Sequence, residues 1–129
     1  MHKLLLQSLA VGGAGFIGAV ARFLVAITVG RLGLVFPLGT LIINLSGSMF
    51  LGWFSAYIVG RNVDDTTRLA IGVGFVGAYT TFSTFMFETS KLWDNKAYIE
   101  AAANLILSIV LGLIAVRLGA AMGGRHPTP

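Results

Sequence analysis

The chain has 129 residues, a net charge of +4, 56% hydrophobic residues and only 11% charged ones. Soluble domains run near a quarter charged, so this composition cannot cover a water-facing surface and belongs with membrane proteins. The absence of cysteine excludes disulfides and thiolate metal sites, and basic residues scattered singly exclude a phosphate-tracking nucleic-acid surface.

A membrane-spanning helix needs about 20 mostly apolar residues. Uncharged stretches run over 4–21, 32–60, 69–87 and 101–116, and the second contains the turn Phe36-Pro37-Leu38-Gly39. Helices are predicted over 4–29, 39–60, 68–93 and 97–121. Together they form one all-α transmembrane domain over 1–122, and residues 123–129 are expected to be a disordered tail.

The first helix carries two misleading signals. Lys3, an apolar run and Ala19-Val20-Ala21 mimic a secretory signal, but the apolar run continues past Arg22 through Phe23-Leu24-Val25-Ala26-Ile27. Gly13-Ala14-Gly15-Phe16-Ile17-Gly18 fits the G-x-G-x-x-G dinucleotide pattern. The acidic residue that pattern needs about 20 positions on is missing, because the first acidic residue is Asp64. The better reading is a small-residue helix face, with Gly15 and Ala19, or Ala14 and Gly18, admitting a second backbone.

In the second helix Thr40, Asn44 and Ser48 share one face, and in the fourth Asn104 and Ser108 do, with Gly112 next. Such residues serve either as interhelical hydrogen-bond glue or as a polar track through the membrane. The third helix holds Gly72, Gly74 and Gly77, then a run of hydroxyl, β-branched and aromatic residues. That composition makes a poor continuous helix, and a break is expected between Gly77 and Thr81 near mid-membrane. Backbone carbonyls freed there need protein, a cavity or a cation. Phe82 and Phe85 lie three apart and share a helical face beyond the break.

With four spans, both termini lie on one side. Lys3, Arg61, Arg68, Arg117 and Arg125 fall on that side and Arg22, Arg31, Lys91 and Lys96 on the other, five against four. The positive-inside rule then orients the chain hardly at all. Insertion both ways up is predicted, with an antiparallel homodimer about an axis in the membrane plane.

The string Gly77-Ala78-Tyr79-Thr80-Thr81-Phe82-Ser83-Thr84-Phe85, followed by Glu88, resembles the Fluc (CrcB-type) fluoride channels. Gly18-Ala19-Val20-Ala21-Arg22 and Gly39-Thr40-Leu41-Ile42-Ile43-Asn44-Leu45 support the likeness, and Ala78 and Gly112 depart from it. The resemblance implies a dual-topology homodimer in the inner cell membrane of a prokaryote. Two pores would let cytoplasmic fluoride leave passively and relieve its toxicity. It implies a structural, non-transported Na+ held by the backbone carbonyls of Gly77 and Thr80 of both copies. It further implies a fluoride pathway through Phe82, Phe85, Asn44, Thr81, Ser83, Thr84, Ser108 and Asn104. Arg22 stands at its vestibule, a place that interfacial anchoring of a long cation explains equally well.

Neutral O–H and N–H donors suit a small, tightly hydrated anion, because they replace its water without a fixed charge that would trap it. The positive edges of phenylalanine rings serve the same end. A dual-topology drug or guanidinium exporter is the alternative, but it requires a carboxylate in the first helix, and none precedes Asp64. An enzyme is not expected: His2 and His126 lie in the termini and no carboxylates pair.

Overall fold

The computed structural model describes residues 1–124, and among these there are helices and no strands. Helix α1 is His2–Gly30 and α2 is Leu38–Tyr57. Helix α3 covers residues 65–79, α4 is Phe82–Asp94 and α5 is Tyr98–Gly123. Among the described residues four stretches are long and apolar enough to cross a membrane: α1, α2, Asp65–Asp94 (α3 with α4) and α5.

Local chemistry sets the helix ends, some of them away from the sequence prediction. α3 starts at Asp65, ahead of the predicted 68, because Asp64 caps it: its Oδ1 accepts from the Thr67 N–H at 3.0 Å and its Oδ2 from the Thr67 hydroxyl at 2.7 Å. α2 stops at Tyr57, short of the predicted 60, and Gly60 turns the chain at φ +75°. α4 ends in a Schellman turn in which Lys96, at φ 61°, donates to the Trp93 carbonyl and Ala97 to that of Leu92, both at 2.9 Å.

α5 runs through Gly123, which the sequence reading assigned to the disordered tail. Packing explains the extra residues. A Cβ at Gly119 would strike the Met49 carbonyl, and one at Gly123 the Trp53 carbonyl, so α5 lies backbone to backbone on α2. Gly52 of α2 meets Val116 in the same way. The remaining tail, 125–129, lies outside the described residues.

α3 begins as an α-helix, Asp65–Leu69, widens into a π-helix over Ala70–Val76 and closes with the turn Gly77–Tyr79. The wide segment holds Gly72 and Gly74 among Ile71, Val73 and Val76, residues with weak preference for regular α geometry. α1 packs on it through small residues. Gly18 abuts the Phe75 backbone, while Gly74 faces Ala14 and the Val11 carbonyl.

Few side chains are buried: Leu41, Ile43, Phe54, Val76, Phe85, Leu92 and Ala101 form the apolar core. Large apolar residues such as Phe16, Phe23 and Ile106 point outward, and Gly18 is the one buried residue of α1. This inside-out pattern suits an apolar surrounding rather than water.

Candidate functional site

Helical geometry stops at the α3–α4 junction. Thr80 has φ −78°, ψ 157° and Thr81 φ −148°, ψ 115°, both extended. The last backbone bond of α3 runs from the Thr80 N–H to the Val76 carbonyl at 2.9 Å, and the Thr80 hydroxyl reaches the same carbonyl at 2.9 Å. Two adjacent β-branched threonines favour leaving the helix here, and Thr81 then caps α4 through the Thr84 N–H at 3.3 Å.

Asn44 of α2 holds the extended pair. Its Nδ2 donates to the Thr81 carbonyl at 3.0 Å, and its Oδ1 accepts from the Thr81 N–H at 2.8 Å. The amide thus replaces both helical partners that the Thr81 peptide has lost. Among the described residues no backbone hydrogen bond outside the helices returns to the Gly77 or Thr80 carbonyl. A side chain at Gly77 would touch nothing nearer than the Gly72 carbonyl at 3.9 Å, so that edge of α3 is open.

Hydroxyls and rings crowd the start of α4. The Thr81 hydroxyl donates to that of Thr84 at 2.9 Å and lies 3.4 Å from that of Ser83. Because the Thr81 hydrogen is used, the Thr84 hydroxyl hydrogen stays free. Phe85 is buried and Phe82 is 74% exposed, and their rings meet edge to face with centroids 6.0 Å apart. A hollow of about 240 Å³ lies here, lined by Asn44, Ser48, Val76, Thr80, Thr81 and Phe82.

A second cleft, of about 360 Å³, opens beyond α4, with Thr40, Glu88 and Lys91 in its wall. The Thr40, Asn44 and Ser48 face of α2 therefore extends from one hollow to the other. Asn104 is fully buried and donates to the Thr89 hydroxyl at 2.8 Å. Among the described residues its Oδ1, the Ser108 hydroxyl and one Glu88 oxygen are buried without partners. The structure thus groups Asn44, Thr81, Phe82, Ser83, Thr84 and Phe85, sets Gly77 and Thr80 beside them, and joins Asn104 to α4. Arg22 is half-buried on α1 and shares no hydrogen bond with this group.

The family model for CrcB-like protein, Camphor Resistance (CrcB), matches residues 9–120. The chain belongs to the CrcB-like family. Among its CrcB-like relatives, the fluoride-specific ion channel FluC of Methylococcus capsulatus is 47% identical over 125 residues. That match covers 95% of this chain and 54% of the relative, so the chain spans about half the length of that protein. The fluoride-specific ion channel FluC 2 of Mycobacterium tuberculosis is 46% identical over 106 residues, 81% of each chain. FluC of Idiomarina loihiensis is 40% identical over 117 residues, 90% of this chain and 91% of its own.

The CrcB-like match takes in the whole α3–α4 junction and both hollows. Sequence reasoning missed two contacts that shape the site in this CrcB-like chain. Ser46 and Tyr79 share a hydrogen bond at 2.9 Å, and Thr89 bonds to the Phe85 carbonyl at 2.8 Å. Only the second had a local signal: Thr89 lies four residues after Phe85, where a threonine hydroxyl reaches back to the carbonyl.

Proposed function

We propose that this CrcB-like chain is one subunit of a fluoride-selective channel, through which cytoplasmic fluoride leaves the cell passively. The observation that carries the reading is the pair of extended threonines between α3 and α4, flanked by neutral donors and a phenylalanine pair. The names of the relatives point the same way.

Fluoride gives up hydration only where donors replace its water. The free Thr84 hydrogen, the Ser83 hydroxyl and the second hydrogen of the Asn44 amide supply such donors. All are neutral, so they bind the ion weakly enough to release it. The ring edges of Phe82 and Phe85 extend the positive lining while keeping the passage narrow, which disfavours the larger chloride. The α2 face from Ser48 through Asn44 to Thr40 continues the track, with Ser108 and Asn104 alongside. Arg22 draws anions toward the vestibule.

In this reading the functional unit is an antiparallel homodimer of dual topology in the inner cell membrane, spanning it four times per copy with the third span broken near mid-membrane, between α3 and α4. The nearly even spread of basic residues supports it. A structural Na+ fits the donor set: among the described residues no backbone hydrogen bond outside the helices returns to the Gly77 or Thr80 carbonyl, at an open edge of α3. Two oxygens per copy become four about a two-fold axis, a hard-oxygen site for a hard cation. Bound there, the ion would take up the lone pairs of these carbonyl oxygens and tie the two junctions together.

Purified protein in liposomes loaded with fluoride tests the reading. Rapid fluoride release with little chloride release is expected, and absence of fluoride release would refute it. Proton-driven export of guanidinium compounds would instead support the exporter alternative.

A further inference from the structure

A hydrogen-bond chain behind Phe85 runs through Thr89, a residue that none of the roles above uses. The Thr89 hydroxyl has a single hydrogen, and it is donated to the Phe85 carbonyl at 2.8 Å. That hydroxyl can therefore only accept from Asn104, whose Nδ2 lies 2.8 Å away. The order is forced: Asn104 N–H to Thr89 O–H to Phe85 C=O. Thr28 makes the same back-bond to the Leu24 carbonyl, but no further partner joins it. At Thr89 the chain crosses between helices, at a place where Asn104 is 0% and Ala101 1% exposed.

We infer that Thr89 is a positioning residue for the phenylalanine pair, locking the rotation of α4 against α5 through Asn104 and so aiming Phe85. The inference rests on the fluoride-channel reading for its consequence but not for its geometry. A helix can turn about its own axis with little loss of apolar contact. A directed hydrogen bond to a neighbouring helix resists that turn, and successive links polarise one another. Phe85 lies one turn before Thr89, on the same face of α4. Its ring meets Phe82 at an interplanar angle of 65°, so a small rotation of α4 would shift the buried Phe85 ring against Phe82, which lines the hollow. The same chain fixes the Asn104 amide with Nδ2 toward Thr89 and Oδ1 turned away, because the Thr89 hydroxyl has no hydrogen left to donate.

The test combines fluoride flux with a 19F label, 4-fluorophenylalanine placed at Phe85 alone. Thr89→Val keeps the volume and removes the hydroxyl, Thr89→Ser restores it, and Thr89→Ala serves if the valine variant does not assemble. Thr89→Val is expected to shift or broaden the 19F resonance and to cut flux at least about fivefold, the factor matching loss of one buried hydrogen bond. Thr89→Ser should retain the wild-type resonance and flux. Asn104→Leu should repeat the valine result, and the double variant should be no worse than either single one. An unmoved resonance in Thr89→Val and Thr89→Ala would overturn the inference, as would a moved resonance with unaltered flux. If the unsubstituted protein releases no fluoride, the channel reading fails, while the resonance still decides whether Thr89 positions Phe85.

Discussion

At the residue scale, the proposed channel gives Asn44 two tasks that compete for one side chain. Its oxygen and one N–H are committed to the Thr81 peptide, which leaves a single N–H for any passing ion. Asn44→Asp separates the tasks, because a carboxylate still accepts from the Thr81 N–H but no longer donates to its carbonyl. Leaving that carbonyl unpaired costs about 1–3 kcal/mol, and the added negative charge opposes an anion. The expected result is a lower unfolding midpoint in detergent together with loss of fluoride release. Phe82→Ile and Phe85→Ile separate differently. Removing the ring edges should cut flux strongly in both, while Phe82→Ile, at an exposed position, should leave stability almost unchanged. Flux and thermal unfolding of the same preparations check this.

At the scale of elements, Lys96 is the least favourable backbone position. It holds φ 61° at the end of α4, where a glycine carries no penalty. Lys96→Gly is expected to stabilise the chain by about 1 kcal/mol, read as a raised thermal midpoint. Gly119→Ala should act in the opposite direction, since the added methyl meets the Met49 carbonyl and forces α5 off α2, at a cost of about 3 kcal/mol. Asp64 makes the start of α3 sensitive to acid. The Thr67 hydroxyl, and then the Thr67 N–H, hold its carboxyl below its ordinary value of 3.8. The cap is therefore complete at neutral pH and is lost as pH falls through that lowered value. Exchange of the Thr67 amide, relative to its intrinsic rate, should stay constant from neutral pH to about 5 and rise only in stronger acid.

The positions of the four apolar stretches were legible in the sequence because each is a long uncharged run. Their ends were less so. The Asp64 cap lies before a polar stretch that no hydropathy pattern marks, and the last turn of α5 depends on Gly119 and Gly123 meeting another helix. The cluster of Thr81, Phe82, Ser83, Thr84 and Phe85 was readable because it is contiguous. The Asn44 contact could be placed only on a helix face, since its partner lies 37 residues away. The Asn104–Thr89 link was hidden for the same reason: spacing within one helix says nothing of what a neighbouring helix presents.

At the scale of the whole molecule, orientation in the membrane becomes the decisive variable. Five basic residues on one side and four on the other leave insertion almost unbiased. An antiparallel pair needs both orientations in one membrane, and a four-carbonyl cation site needs that pair. Charge placement at loops far from Gly77 and Thr80 should therefore control whether the site forms. Adding four lysines to the α4–α5 turn, where Lys96 already stands, makes eight basic residues against five and would bias every copy one way. Adding two beside Arg61 would bias every copy the other way. Either variant expressed alone is expected to give monomers or parallel aggregates without fluoride release. Co-expression of the two should restore a dimer containing one of each and with it the flux, read by differential tagging and liposome release. Release from either variant alone, at the level of the unmodified chain, would show that antiparallel pairing is not required. On the proposed Na+ site, exchanging Na+ for a larger cation during purification should lower flux in the mixed dimer as in the unmodified one, because carbonyls of both copies would have to close around the ion.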